Sequence, residues 1–343
     1  MKALLIGGTG TISMDITKLC VERGYDVTLL NRGNRNSRLP ESMRVSQWAL
    51  DINDENAVRA RLEGEYFDVI VNFINYTTDQ VERDIRLFAD KTNQYIFISS
   101  ASAYQKPLSH YMVTESTPLS NPFWDYSRDK IACEERLMAE YRNNGFPITI
   151  VRPSHTYDKY RIPVCIHGGN GSWSTISRML EGKPVLVIGD GTSLWTLTHS
   201  QDFAKGFIGL MGNIKAIGES VHITSDEALT WNQIYTNIAR AFGVRPNLFH
   251  VATDFITAVD PSYNGQLHGD KGANVLFDNS KIKRLVPGFT ATIRFDQGAK
   301  MAAEYYLNDP ESQIPDPNFD IFVDTIIEAQ MSAIAKVKAQ LQR

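Results

Sequence analysis

Tyr126 and Lys130 stand four residues apart in Tyr126-Ser127-Arg128-Asp129-Lys130, a spacing that projects both side chains from one face of a helix. A free tyrosine ionises near pH ~10, and a neighbouring ammonium favours its phenolate. Bringing that ionisation to neutrality takes roughly 4 kcal/mol, within the reach of that ammonium together with a second positive charge in a partly dry cleft. Tyr126 then serves as a base for a hydroxyl proton. The same spacing arises by accident on many helices, so its meaning rests on its place in the chain. It follows a serine cluster, Phe97-Ile98-Ser99-Ser100-Ala101-Ser102-Ala103-Tyr104, where an apolar run ends, and active-site residues of open α/β sheets gather at such strand ends. Ser100 is placed to hydrogen-bond the reacting oxygen and Ser102 to orient substrate; the alternative for either is a strand cap.

A second constellation lies near the N-terminus, where Ala3-Leu4-Leu5-Ile6 leads into Gly7-Gly8-Thr9-Gly10-Thr11-Ile12-Ser13 and then a helical stretch. Glycine allows the tight turn, the missing side chain admits a pyrophosphate to the backbone, and the helix N-terminus offers free N–H groups to that anion. Gly7, Thr9, Gly10, Thr11 and Ile12 are therefore the expected dinucleotide contacts, with Ser13 a small substitute for the usual third glycine. At the end of the second strand, Asn31-Arg32, with Arg35 and Arg38 behind, takes the place where a carboxylate normally grips the ribose of NAD. Arginine there pairs instead with the 2′-phosphate of NADP. NADP is the expected cofactor and NAD the alternative, while a solvated basic loop is the bland reading of the arginines. Asp51 and Ile52, after a third strand, are placed to meet adenine by a hydrogen bond and an apolar contact; a plain loop aspartate is the other reading.

These residues need a scaffold, and the sequence supplies a regular one. The short apolar runs Ala3 to Ile6, Val27 to Leu30, Val69 to Asn72, Tyr95 to Ile98 and Ile148 to Val151 read as buried strands. Between them Met14 to Arg23, Glu55 to Leu62, Thr78 to Lys91 and Ser127 to Asn143 carry helical spacing. This alternation predicts an α/β fold, a Rossmann-type doubly wound parallel sheet, over residues 1–154. After Arg152-Pro153, glycine clusters at Gly168-Gly169-Asn170-Gly171 and Gly189-Asp190-Gly191 break the pattern. A smaller C-terminal substrate lobe is expected over 155–195 and 225–343, with about 196–224 returning to the first domain. Val185 to Ile188 and Ser220 to Ile223 read as strands, Trp231 to Phe242 and Val323 to Leu341 as helices.

Composition narrows the chemistry. A chain of 343 residues that is 43% hydrophobic can bury a core without staples. Three widely spaced cysteines give neither a disulfide framework nor a metal knuckle, and the opening apolar run ends too early for a leader or a membrane span. A cytoplasmic, soluble protein is the expectation. The net charge of −4 disfavours a general nucleic-acid binder, leaving a small-molecule substrate as the expected partner. The seven histidines show no metal-ligand spacing, so no metal is expected. His155 and His199 are candidates for the cleft, with hydrogen-bonded structural roles as the alternative. Trp173, Trp195, Tyr157 and Tyr160 can stack a sugar ring or simply pack.

With glycine turn, serine cluster and Y-x-x-x-K in this order, the chain resembles the extended short-chain dehydrogenase/reductase superfamily, specifically the NAD(P)-dependent epimerase/dehydratase-like proteins. Glu115 to Pro118, Lys130 to Glu134, Val151-Arg152-Pro153 and the stretch from Gly189 through His199 to Ala204 sit where that family has similar segments. The resemblance implies Ser100, Tyr126 and Lys130 as the catalytic trio, with Asn72, Phe73, Pro153 and His155 on the cofactor. It implies Asn75, Ser102, Tyr104, Tyr157, Trp195 and His199 as substrate neighbours, and a homodimer through the tyrosine helix by analogy. The chain departs from the family at Asn72 to Asn75, bulkier than its usual small residues, at Asp158 in place of glycine, and at Trp195, where many nucleotide-sugar enzymes carry arginine. Ala101 and Ser102, in place of an acidic residue after Ser100, disfavour dehydration. Expected instead is proton transfer from a secondary alcohol of a sugar-like substrate coupled to hydride transfer, ending as epimerisation or as plain oxidoreduction. A non-catalytic, RNA-associated relative is the reading from another class.

Arg32 carries the cofactor choice. NADP(H) should bind more tightly than NAD(H), and Arg32→Asp should reverse the order in fluorescence titrations; equal affinities, or no change in the variant, overturn it.

Overall fold

The computed structural model describes residues 1–33, 39–40 and 42–341. Arg35 and Arg38 lie outside them. The chain forms two compact units, the first made of Met1–Asp158, Thr196–Glu227 and Val275–Ile293, the second of Lys159–Trp195, Ala228–Asn274 and Arg294–Arg343. Val275–Ile293, expected in the smaller lobe, belongs to the first unit because Ile282 and Phe289 pack into its core.

In the first unit, strands β1 (Lys2–Ile6), β2 (Asp26–Asn31), β3 (Ser46–Ala49), β4 (Val69–Asn72) and β5 (Tyr95–Ile98) join Ile148–Pro153 and Ser220–Ile223 in one sheet. Its order is Ser220–Ile223, Ile148–Pro153, β5, β4, β1, β2, β3, every pair parallel. The chain winds outward from β1 in both directions, so β1 and β4 flank the switch point, beyond whose carboxyl ends open α/β sheets bind their ligands. Ile6 pairs with Leu30 on one side and with Asn72 on the other, which sets the glycine turn beside the turn that follows β4. Strands covered on both faces must be apolar throughout, and β4 and β5 are buried at every position.

Helices α1 (Ser13–Glu22), α2 (Glu55–Arg61), α3 (Thr78–Phe88) and α4 (Asp125–Asn144) supply the covering layers. Ile16 and Cys20 of α1 join Phe203, Phe207 and Leu210 of the helix Ser200–Leu210 in one cluster, while Val58, Val81, Phe88, Cys133 and Leu137 form the other. The α4 helix buries Ser127, Lys130, Cys133, Glu134 and Leu137, a stripe at spacings of three and four that faces the sheet. Gly145, at φ +75°, ends it in the left-handed region.

In the second unit Pro184–Ile188 pairs in parallel with Asn247–Val251. Its last helix spans Pro317–Leu341, starting earlier than the apolar spacing indicated because proline fits a first helical turn, whose N–H needs no partner. Among the described residues no helix is long and apolar enough to cross a membrane.

Helix Ser200–Leu210 lies close to its neighbours through Gly206 and Gly209. A methyl group at Gly209 would stand 2.2 Å from Val286 Cγ1. Alanine gains about 1 kcal/mol over glycine in a helix, whereas overpacking costs about 1–3 kcal/mol. At that distance the clash should win, so Gly209→Ala is expected to lower the thermal midpoint, read by circular dichroism.

Candidate active site

Lys130 reaches the sheet from the first half of α4 and is 2% exposed. Its Nζ donates to the carbonyl oxygens of Ile98 at 2.8 Å and Asn75 at 2.5 Å. One belongs to the end of β5 and the other to the turn after β4, so the ammonium stitches the two strand ends together. Three aromatic rings surround it, Tyr76 at 4.6 Å, Phe97 at 4.9 Å and Tyr126 at 5.8 Å from Nζ to the ring centroid. Burial pulls the Lys130 ammonium down to about 8, which still leaves it charged at neutral pH. Tyr126, partly exposed at the start of α4, packs on Trp124 at 4.9 Å and Tyr76 at 6.2 Å between centroids.

The serines form a chain of hydroxyls. Ser127 Oγ donates to Ser102 Oγ at 2.8 Å, and Ser102 Oγ lies 2.8 Å from Ser100 Oγ. The Ser102 N–H also donates to Ser100 Oγ at 3.2 Å. With Ser127 as first donor, Ser102 Oγ donates to Ser100 Oγ, and the Ser100 hydroxyl proton is not used within the chain of serines. Only Ser100 of the three is partly exposed; Ser102 and Ser127 are buried. Residue type and spacing give Ser127 no site role, and its place beside Tyr126 on the buried stripe of α4 is the signal that could have found it.

The dinucleotide turn suits its expected guest. Gly7 has φ +86°, and a Cβ there would stand 2.6 Å from Ile74 Cγ2. Ser13 laces the turn, its Oγ accepting from Gly10 N–H at 2.8 Å and donating to the Gly7 carbonyl at 3.1 Å. Ile12 caps α1 without any side-chain hydrogen bond, and although Met14 N–H is taken by the Gly10 carbonyl at 2.9 Å, a helix N-terminus at this turn suits an anion. Asn31 Nδ2, at the end of β2, is buried with no hydrogen-bond partner among the described residues. An orphan donor beside an open helix N-terminus fits a phosphorylated nucleoside. Arg32 is exposed at the same strand end, and Thr9, Gly10, Thr11 and Ile12 follow the turn.

A family model described as NAD dependent epimerase/dehydratase family matches residues 3–224. The chain belongs to that family. The 2'-dehydrokanamycin reductase of Streptomyces kanamyceticus is 23% identical over 293 residues, covering 84% of this chain and 80% of that protein. The chloroplast stem-loop binding protein of 41 kDa b of Arabidopsis thaliana is 27% identical over 264 residues, covering 73% and 65%. Among solved structures, the dTDP-glucose 4,6-dehydratase of Bacillus anthracis in complex with NAD shares the fold, with a TM-score of 0.72 at 18% identity over 91% of this chain and 98% of that one.

Several residues that the family resemblance points to the crevice have other partners. Asn72 and Asn75 are buried and turn their amides to Asp84 on α3; only the Asn75 carbonyl reaches the site. Tyr104 is 1% exposed, its hydroxyl 3.0 Å from His222 Nδ1 and its ring 4.9 Å from the Arg152 guanidinium. Arg152 in turn holds Glu134 at 2.5 Å, and Glu134 also receives Ser99 Oγ. Tyr104 is thus a core residue backing the serine strand, which corrects its assignment to substrate. Ile52 is buried in the core, while Asp51 is exposed and accepts from Asn53 N–H at 2.9 Å. Phe73 is half-buried, 5.9 Å from Phe207.

Pro153 ends the strand that pairs with Ser220–Ile223, and His155 and Tyr157 lie in a short strand parallel to Leu197–His199. His199 and Tyr157 are therefore neighbours, ring against ring at 5.2 Å. His199 Nδ1 accepts from Gln201 N–H at 3.3 Å, placing its proton on Nε2, a buried nitrogen without a partner among the described residues. Trp195 is buried in the second unit, stacked on Trp231 at 5.7 Å, which makes it a packing residue there. Among the described residues no group of three or more metal-ligating side chains occurs.

Burial holds both His199 and His222 below the ordinary histidine range. The unfolded chain takes up protons near pH ~6.5 that the folded chain refuses, so stability is full above that pH and is lost as pH falls below it. The urea midpoint should drop between pH 7.5 and 5.5, and His222→Gln, which does not titrate, should show a smaller drop.

Proposed function

We propose that this protein is an NAD(P)-dependent oxidoreductase or epimerase that acts on a secondary alcohol of a sugar-like substrate, with Tyr126 as the acid/base. The observation that carries this is the meeting of Lys130, Tyr126 and the Ser127–Ser102–Ser100 hydroxyl chain at the carboxyl ends of β4 and β5. Ser100 donates to the reacting oxygen and fixes it. Tyr126 removes the hydroxyl proton, or returns it to a ketone, and the Lys130 charge stabilises its phenolate. Two of the three ammonium protons are committed to backbone carbonyls, so the charge cannot swing away. A nicotinamide dinucleotide at the Gly7–Ser13 turn supplies acceptance and return of hydride.

Arg32 favours NADP over NAD in this reading. A stacked, buried Trp195 in place of the family arginine removes a cation for a nucleotide pyrophosphate, which supports a sugar without that group; the relative named for a dehydrokanamycin points the same way. A homodimer through α4 and a cytoplasmic setting belong to the same reading. Epimerisation and plain oxidoreduction share every residue named here, and Ala101 and Ser102, without an acid after Ser100, weigh against dehydration.

The likeness to a chloroplast stem-loop binding protein favours RNA association as a second reading. The complete Ser100, Tyr126 and Lys130 set and the net charge of −4 weigh against it.

Incubation with NADP(H) or NAD(H) and a panel of sugars and ketosugars should give an absorbance change at the reduced-nicotinamide band. Tyr126→Phe should reduce kcat by roughly 100-fold or more while leaving cofactor affinity unchanged. Full turnover in the variant, or RNA retention without any cofactor-linked reaction, would reject the enzymatic reading.

A further inference from the structure

A buried polar cluster of the first unit lies at the turn that follows β4, and the proton-transfer site does not use it directly. Asp84 on α3 is completely buried. Its Oδ2 accepts from Asn72 Nδ2 at 2.6 Å, Asn75 Nδ2 at 2.7 Å and the Tyr95 hydroxyl at 2.6 Å. Its Oδ1 accepts from Arg83 Nε and Nη2 at 3.0 and 2.8 Å. Arg83, also buried, donates again through Nη2 to Asn75 Oδ1 at 2.7 Å and through Nη1 to Asn53 Oδ1 at 2.6 Å. Burial pushes the Asp84 carboxyl up, and the Arg83 charge opposes that push.

Asn75 is the hub. Its Oδ1 receives Arg83 and Asn72, and its Nδ2 gives to Asp84 and Tyr95. Four hydrogen bonds from three elements leave this side chain a single rotamer, and the same residue's carbonyl holds Lys130 Nζ at 2.5 Å. A buried ion pair is a poor source of stability, since apolar residues of equal volume often serve as well or better. What such a pair does supply is a fixed geometry, because each partner leaves an uncompensated charge if it moves. Here that rigidity is applied at the one turn whose backbone touches the lysine.

We propose that the Arg83–Asp84 pair is a positioning device for Lys130, clamping Asn75 so that its carbonyl sets the distance from the ammonium to Tyr126. The proposal rests on the Tyr126–Lys130 reading above and adds residues that do not touch substrate. Lys130 faces the Ile98 and Asn75 carbonyls, the Tyr76, Phe97 and Tyr126 rings, and Cys133 and Glu134 of its own helix. Burial pushes the Cys133 thiol up to about 12, so it is neutral, and the Glu134 carboxylate is occupied by Arg152. Tyr76 and Tyr126 are the phenols that face the lysine, and subtracting the Tyr126→Phe counterpart isolates the ionisation of Tyr126. If Lys130 withdraws, the phenolate loses its cation and Tyr126 ionises at higher pH.

Asn75→Ala opens the clamp while keeping the backbone carbonyl, and leaves Asp84 paired with Arg83, Asn72 and Tyr95. It should lower kcat by roughly 10- to 100-fold, as a small misplacement does, with the cofactor KM within about twofold. The acid-side midpoint of the kcat profile should rise. Tyr95→Phe, which removes one donor to Asp84 and one partner of Asn75, should move both in the same direction by less. A second readout needs no turnover: the phenolate absorbance of Tyr126, titrated as the difference between each protein and its Tyr126→Phe counterpart, should show a higher midpoint in Asn75→Ala. An unchanged midpoint together with an unchanged pH profile in folded Asn75→Ala overturns the proposal. Wild-type turnover in Tyr126→Phe would instead overturn the acid/base reading, while the phenolate titration would still decide whether the pair positions the lysine.

Discussion

A lysine that is 2% exposed must have its charge met by fixed dipoles, and the way Lys130 achieves this organises the rest of the site. An uncompensated ammonium in a protein interior costs several kcal/mol. Lys130 meets that cost with the carbonyls of Ile98 and Asn75, both of which become available only where strands end and the ladder no longer uses them. The requirement fixes three things together: β4 and β5 must be adjacent, both must stop at the same level, and α4 must cross above them with its polar positions turned inward. Tyr126 and Ser127, one turn earlier on that helix, then have no choice of neighbours.

The same strand ends hold two further buried charge pairs, Glu134 with Arg152 and Asp84 with Arg83. Hydrophobic clusters on the two faces of the sheet supply the folding free energy, as apolar burial does in most domains. The charges do something else. Glu134 lies one turn beyond Lys130 and ties Ser99 and Arg152 together, and Arg152 in turn lies against Tyr104, whose hydroxyl meets His222, behind the serine segment that follows β5. Each brace consists of saturated hydrogen bonds, the condition under which a buried polar network rigidifies its surroundings.

The cofactor end is built from lighter material. Ser13, in the place of the third glycine, links the two ends of its own turn, and Ile12 leaves the helix terminus uncapped. Asn31 Nδ2, at the end of β2, is buried without a hydrogen-bond partner among the described residues. The polar groups at that end are mostly backbone, whereas the Asn75 carbonyl that meets Lys130 belongs to a residue whose own side chain is held by Arg83 and Asp84.

Much of this was legible without coordinates. Alternating apolar runs and helical stripes prescribed the parallel sheet, the glycine turn marked the end of β1, and Ser100, Tyr126 and Lys130 stood out by type and order, because local spacing controls which residues share a helix face. What sequence could not show is where a side chain turns when its backbone offers two directions. Asn72 and Asn75 followed a strand end and looked available to ligands, yet a buried carboxylate on α3 draws their amides inward. Tyr104, also at a strand end, found Arg152 and His222. Trp195 found Trp231, and Val275–Ile293 joined the first unit through Ile282 and Phe289. These outcomes depend on partners in other elements, from 9 to 118 residues away, and whether a polar group faces water or a buried charge is decided only when the elements carrying those partners have packed.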